Sequence, residues 1–575
     1  MNSGKEYRHD NARIAYFSME VGISHTIPTY SGGLGILAGD TLKSFADTEL
    51  PAVGVTLLNE KGYFHQTISD DGWQQEAPVE WNPNDRLTPL PNVVTVIIAG
   101  REVTLRAWKL MIHGLNGNKM PLYYLDANVE GNAEEDRRLT SYLYGGDRKY
   151  RLSQEIILGV GGTKMLASLG YHNLKKYHMN EGHAALLTVE LMKQCQDDGH
   201  SEEEHVKHVR KKCVFTTHTP VAAGHDRFDK GLFHELLGEY VPGYILEHIT
   251  EGDKVNMTLL GLYLSGHVNG VAKRHGEVTK EMFPNYQDSI DYITNGIHPI
   301  TWASPEMKAV FDRHIPGWKA DAYTLRNALS IPGKEIWGAH ESAKKRLVEE
   351  VNDRTGAGFD HRRFTIGFAR RFTAYKRPDL ILQDIEMLKS VTRAVGDIQV
   401  VFAGKAHKQD VQGKEIIKHI WQTCKQVNAE GGNLRMVFLE HYDISLSQMM
   451  VAGCDVWLNN PQRPFEASGT SGMKAALNGT PQISTVDGWW VEGHIEGVTG
   501  WKLGPSPLDP GYDNDYSPDD EANDLYNKLK YTIVPLYYGK QDEWIRIMKH
   551  CIAINASFFN TYRMAQQYMA TTYRE

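Results

Sequence analysis

Phe364-Thr365-Ile366-Gly367-Phe368-Ala369-Arg370-Arg371-Phe372-Thr373-Ala374-Tyr375-Lys376-Arg377 is the stretch on which the fold class turns. Its first five residues are aromatic, β-branched or small and carry no charge, which predicts a short buried strand over 364–368. Four cations then fall within the eight residues 370–377. Charges so close repel one another unless an anion or carboxylates gather them, and the loop at the carboxyl end of a parallel strand is where phosphate binds. A solvated helix face is the other reading of the same charges.

Working outward, a charged helical stretch over 334–351 leads into this strand through 352–358. Further short strands are expected at 400–402, 435–439, 456–458 and 482–484, with a helix over about 414–427. The first half has the same grammar: a strand over 14–19, a glycine-rich turn at 31–35, a helix over 37–48, and a strand over 53–58 opened by Pro51. The segments 93–99 and 103–108, joined by Gly100-Arg101-Glu102, predict a β-hairpin. Helices over 153–169 and 184–196 and a strand over 213–217 follow. Short apolar strands alternating with helices define an α/β protein with covered parallel sheets. Two such blocks predict two Rossmann-like domains facing across a cleft, with ligands outside the strands' carboxyl ends. The divisions expected are 1–300, 301–545, and a helical tail 546–575 packing back on the first domain.

The bulk numbers agree with an enzyme of this kind. A chain of 575 residues exceeds one ordinary core, and 41% apolar with 23% charged residues is globular usage. The net charge of −9 argues against nucleic-acid binding, which needs dense Lys and Arg. Five cysteines without a CxxC pair or ligand-like spacing read as free thiols in a reducing compartment, with no metal site. Residues 1–10 are polar and mixed in charge, unlike a signal or transit peptide. No apolar run approaches the roughly 20 residues that span a bilayer. The expectation is a soluble, cytoplasmic protein with no membrane partner.

Two further clusters carry chemistry. In Ser31-Gly32-Gly33-Leu34-Gly35, between a strand and a helix, glycines let backbone N–H groups approach an anion. A tight turn needing positive φ reads the same residues equally well. In Glu466-Ala467-Ser468-Gly469-Thr470-Ser471-Gly472-Met473-Lys474-Ala475-Ala476-Leu477-Asn478-Gly479, small residues surround a single lysine. A lysine that forms an imine needs such close packing and partial desolvation, whereas a capped helix N-terminus explains the same spacing.

These three clusters, in this order, resemble the signature of the glycogen, starch and maltodextrin phosphorylases, from Ile14-Ala15-Tyr16-Phe17-Ser18-Met19-Glu20 to about Trp501. The resemblance implies a GT-B-type glycosyltransferase fold and reversible phosphorolysis of α-1,4-glucan ends to glucose 1-phosphate with retention. It implies pyridoxal 5'-phosphate on Lys474, with Thr470, Ser471, Tyr442 and Gly33 near the cofactor. The cofactor's phosphate is then expected to exchange a proton with substrate phosphate, so that no pair of protein carboxylates is needed. Arg371 and Lys376 match the cations that hold phosphate, and Tyr375 matches a tyrosine that contacts the sugar. Gly33 and Leu34 match backbone that touches phosphate and glucosyl unit. His218, in Thr216-Thr217-His218-Thr219-Pro220, matches a glucose-binding histidine with a catalytic part, although by itself a core histidine is the simpler reading. Asn295 matches a sugar-bonding asparagine, and Glu466, Ala467, Ser468 and Gly469 match the segment gripping glucose hydroxyls. Glu181, in Asn180-Glu181-Gly182-His183, stands near the implied substrate entrance, where animal enzymes carry Asp.

Departures accompany the likeness. Gly22 replaces a cofactor-contacting tyrosine, the 22–31 segment is short, and about a dozen residues precede the first strand, so no N-terminal regulatory arm is expected. The pattern, with Asp487-Gly488-Trp489-Trp490, resembles the compact microbial branch and is compatible with a homodimer. The alternative readings are a nucleotide-sugar-dependent glucan glucosyltransferase of the same fold and a catalytically inactive glucan-binding homologue.

Overall fold

A computed structural model describes residues 9–195, 201–509, 511–512 and 517–574. Most of the 1–10 stretch, and the last residue of the helix expected over 184–196, lie outside the described residues. The protein is mixed α/β with several sheets. By contact it divides into two compact units: Met1–Phe64, Pro78–Thr294 and Thr561–Glu575 form the first, and His65–Ala77 with Asn295–Asn560 forms the second.

The first unit is built on a nine-stranded sheet. In chain order its strands are β1 (Ile14–Phe17), β2 (Ala52–Leu57), β3 (Thr88–Ile98), β4 (Arg101–His113), β5 (Lys119–Asp126), β6 (Lys176–Asn180), β7 (Cys213–Thr216), β8 (His267–Gly270) and β9 (Ile290–Tyr292). They lie in the order β9-β8-β7-β6-β1-β2-β5-β4-β3. From β9 to β5 every pairing is parallel, and β4 and β3 add antiparallel at one edge. Strand β1 shows why its sequence is continuously apolar. Ala15 and Phe17 enter one core cluster and Ile14 and Tyr16 enter another, so both faces are covered. The hairpin β3–β4 turns tighter than Gly100-Arg101-Glu102 suggested. Ile98 pairs with Arg101, and the two loop residues, Ala99 and Gly100, sit at φ 51° and 73°.

The helix expected over 37–48 spans Gly33–Asp47. Gly32, Gly33 and Gly35 are not among the positive-φ residues, so the glycines are not there for a left-handed turn. Gly35 and Gly39 allow close approach: a Cβ on Gly35 would lie 2.6 Å from Glu20 Oε2, and one on Gly39 would lie 2.0 Å from the Gly22 carbonyl, whereas one on Gly33 would meet nothing within 4 Å. The helix Thr561–Thr571 belongs to this unit. Ser44 Oγ and Thr561 Oγ1 are 2.5 Å apart, and the Tyr562 hydroxyl donates to Asp47 at 2.8 Å.

The second unit contains a six-stranded parallel sheet: β10 (Phe364–Ala369), β11 (Ile398–Ala403), β12 (Leu434–Leu439), β13 (Val456–Asn459), β14 (Gln482–Thr485) and β15 (Gly500–Leu503). Five match the expected strands to within two residues at each end. Strand β15, whose Gly500-Trp501-Lys502-Leu503 lacks a β-branched residue, carries no strand signal of its own. The order is β12-β11-β10-β13-β14-β15, so the winding reverses between β10 and β13. Ligands of open parallel sheets bind outside the carboxyl ends at such a reversal.

Candidate active site

Strand β10 delivers Arg370 to the reversal point, and β13 delivers Asn459. The Arg370 guanidinium bonds Asn459 Oδ1 through Nη1 and Glu466 Oε2 through Nη2, the latter at 2.6 Å. Lys376 reaches the same oxygen of Glu466 at 2.8 Å from a short 3-10 turn. Lys376 and Glu466 are buried. Burial alone would raise the Glu466 pKa, but the two cations outweigh it and hold the carboxyl at about 2. Two positive charges on one negative leave a single positive charge in a desolvated place, an arrangement ready for an anion.

Asp487 lies directly behind this group, also buried. Its oxygens accept the Glu466 and Gly488 backbone N–H groups, each at 2.9 Å. Burial, aided by repulsion from Glu466, pushes its pKa up to about 7 against those hydrogen bonds. Tyr375 presents its ring to Lys376 Nζ at 4.5 Å from the centroid. Arg371 is exposed, and it is the preceding Arg370 whose ion pair faces the sheet end. Sequence reasoning singled out neither Arg370 nor Asp487 as a site residue, although the four-cation loop and the Asp487-Gly488 motif were visible signals.

The lysine motif folds as a loop followed by the helix Ser471–Leu477. Lys474 is 6% exposed, and its amine lies 3.8 Å from the centroid of the Trp302 ring. Asn478 explains why this packing holds: its amide donates to the Trp302 and Lys474 carbonyls, both at 2.9 Å. Gly472 is enforced by contact, since a Cβ there would fall 1.5 Å from Gln482 Oε1. Ser471 Oγ accepts from the Trp457 indole at 3.0 Å, and the Thr470 carbonyl accepts the Lys474 N–H at 3.1 Å. Glu466 and Ser468 are buried; Ala467 and Gly469 are half-buried, and Gly469 has φ 75°. The Tyr442 hydroxyl donates to Ser447 at 2.8 Å, and burial pushes its pKa up to about 12. A desolvated lysine over an indole face and a buried Arg370 Nε without a partner fit a flat, anionic carbonyl cofactor. Asn295, 5% exposed, is the first residue of this unit's main segment.

In the first unit, Asn180 ends β6, Glu181 follows it, and His218 lies just beyond β7. His218 Nε2 meets Asn180 Oδ1 at 2.6 Å, while the His218 N–H and Thr219 Oγ1 donate to Glu181 Oε2 at 2.7 and 3.0 Å. Burial pushes the His218 pKa well below the usual range, with neighbouring histidines adding to the shift. Burial likewise raises that of Glu181. Glu181 holds φ 86°, a conformation that costs an ordinary side chain and persists only when its surroundings fix it. Asn180 Nδ2 donates to Ser18 Oγ at 3.1 Å, and His183 Nε2 accepts the Met19 N–H at 3.1 Å. The segment carrying Ile14–Phe17 is thereby tied to the Glu181–His218 pair. Around the glycine loop, Glu20 Oε2 accepts from the Ser31 and Gly32 N–H groups at 2.6 and 3.3 Å, and Gly33 is exposed. Two of the loop's donors are therefore engaged by a carboxylate of the same unit. Among the described residues, no group of three or more His, Cys, Asp or Glu is placed to hold a metal ion, and no helix is long and apolar enough to cross a membrane.

The carbohydrate phosphorylase family model matches residues 29–102 and 243–498. The maltodextrin phosphorylase of Thermococcus litoralis is 40% identical over 97% of this chain and 70% of its own length. The glycogen phosphorylase of Aquifex aeolicus is 34% identical over 100% of this chain and 88% of its own. That of Mycobacterium tuberculosis is 34% identical over 97% and 70%. The chain belongs to the carbohydrate phosphorylase family.

Proposed function

We propose that this enzyme is an α-1,4-glucan phosphorylase, which splits glycogen- or maltodextrin-like ends with inorganic phosphate and releases glucose 1-phosphate. The observation that carries the reading is the buried Arg370–Glu466–Lys376 group at the sheet reversal, with its one surplus positive charge. Arg371 and Lys376 are assigned to phosphate, and Tyr375, Asn295, Glu466, Ala467, Ser468 and Gly469 to the glucosyl unit. Within the first unit, Gly33, Leu34, Glu181 and His218 are the candidate phosphate- and glucan-binding residues. The two units are taken as Rossmann-like domains, a reading supported by the third-second-first-fourth-fifth-sixth strand order of the second.

Pyridoxal phosphate is assigned to Lys474, with Thr470, Ser471 and Tyr442 as its other neighbours. The chemistry it supplies when bound is a phosphate group for proton exchange with the substrate phosphate. The chain's own share is electrostatic. Arg370 and Lys376 offset the repulsion of anions brought together, and Glu466 fixes both cations before substrate arrives. Trp302 and the glycine packing around Lys474 keep water from the lysine. Cytoplasmic residence is supported by the sparse cysteines of the sequence, none of them in a CxxC pair.

The deciding experiment is phosphate-dependent release of glucose 1-phosphate from maltodextrin by the purified protein. A nucleotide-sugar glucosyltransferase would show turnover only with an activated sugar donor, and an inactive glucan binder would show none; either result removes the proposal.

A further inference from the structure

The chain passes from the first unit at Phe64 into the second, forms an antiparallel hairpin of His65–Ile68 and Gln74–Ala77, and rejoins the first at Pro78. The hairpin buries no apolar side chain; besides Gly72, its buried residues are Gln66 and Gln74. It therefore does not build a core. A buried primary amide is costly unless both ends are bonded, and these two are.

Gln66 Nε2 donates to the Gly404 carbonyl at 2.8 Å and to Gln74 Oε1 at 2.9 Å, while its Oε1 accepts the His441 N–H at 2.9 Å. Gln74 Nε2 donates to the Ala406 carbonyl at 3.0 Å, and its Oε1 accepts the Ala406 N–H at 2.9 Å. The Gln66 N–H donates to His441 Nδ1 at 3.3 Å, and the His65 and His441 ring centroids are 4.0 Å apart. The second strand and the turn are pinned as well, with Glu76 2.7 Å from Lys414 and Asp71 3.3 Å from Lys418.

What the two amides hold are the loops after β11 and β12, beside the candidate site. The Phe372 N–H donates to the Lys405 carbonyl at 3.0 Å, and Phe372 forms a parallel bridge with Ala406. Gly404 lies so close that a Cβ would fall 2.0 Å from the Arg370 carbonyl. His441, at φ 55°, immediately precedes Tyr442.

We propose that the 65–77 hairpin is a positioning clamp for the phosphate and cofactor site. Gln66 and Gln74 fix the 404–406 loop and His441, and through them the Arg370–Phe372 backbone and Tyr442. The inference rests on the phosphorylase reading above. Its test compares the full-length wild type with Gln66→Ala, Gln74→Ala and the less buried Glu76→Ala. The readouts are KM for inorganic phosphate, KM for maltodextrin, and retention of cofactor absorbance during dialysis. Leaving buried loop groups unbonded is expected to raise the phosphate KM about fivefold or more in the glutamine variants. KM for maltodextrin should hold and cofactor should be lost faster, with Glu76→Ala shifting the same way by less. A merely structural hairpin would lower the unfolding temperature and leave both KM values and cofactor retention at wild type, which overturns the clamp. Should the glutamine variants not fold, Glu76→Ala decides by the same readouts. A wild type without phosphorolysis sinks the functional reading itself, whereas an active wild type with unmoved variants sinks only the clamp.

Discussion

Lys376 and Glu466, ninety residues apart in sequence, stand 2.8 Å apart at the carboxyl end of the second unit's sheet. Arg370 shares the same carboxylate oxygen. The pairing turns a run of cations that would repel one another into a fixed group, and the first prediction tests it.

Lys376→Ala should remove the surplus positive charge and leave Arg370 neutralised by Glu466. The chemical step should slow by about 10²–10³-fold, on the order of 2.7–4 kcal/mol, as for other preorganised electrostatic donors. Steady-state phosphorolysis at saturating maltodextrin is the measurement; near-normal kcat and phosphate KM would place the anion elsewhere.

Lys474 is expected to carry the cofactor. The purified protein should absorb in the near-ultraviolet to violet region, and borohydride should fix the label to the peptide containing Lys474. Lys474→Ala should lose the absorbance while keeping its fold by circular dichroism. A label found on another lysine removes the assignment.

Asp487, held at about 7, should shape the pH dependence. Below that value its carboxyl is protonated and the Arg370–Lys376–Glu466 group keeps its surplus charge. Above it, ionisation cancels that charge, so the phosphate KM should rise. Phosphate itself also titrates near neutrality, so the comparison is with Asp487→Asn, in which only the substrate's share of the limb remains. Superimposable profiles for the two proteins would exclude Asp487.

Acid should weaken the first unit through its buried histidines. Burial lowers the pKa of His178 and His183 to about 3, and that of His225 and His275 to about 4. An unfolded chain binds these protons near pH 6.5 and the folded one does not. Stability is therefore level above the ordinary histidine range and falls as pH drops below it. The loss is about 1.4 kcal/mol per pH unit for each buried imidazole. Amide-exchange protection of β6 and β7, corrected for intrinsic rates, should fall between pH 7 and 5 (about 2 units below neutral). Unchanged protection would mean that these rings are solvated.

Much of this was legible in the chain itself. The strands β10 to β14 follow from apolar runs bounded by charges and glycines, because their residues are buried on both faces and the sequence needs no partner to show it. The hairpin β3–β4 was legible from alternation. Strand β15 was not, because its residues carry little strand preference and pairing with β14 alone makes it one. The start of the Gly33–Asp47 helix was also hidden, since Gly33, Gly35 and Gly39 lower helix preference locally, the last two being kept for the approach to Glu20 and Gly22.

The sequence by itself determined the α/β alternation, the cation loop after β10, the small-residue surroundings of Lys474 and the family. These depend on neighbours a few residues away, or on motif order. Only the tertiary structure decided that Arg370 rather than Arg371 is the arginine paired with Glu466, that Asp487 lies behind that pair, and that residues 65–77 join the second unit. Such partners meet through parallel crossovers that span tens to hundreds of residues. Burial then makes an unpaired charge or amide costly enough to select one arrangement.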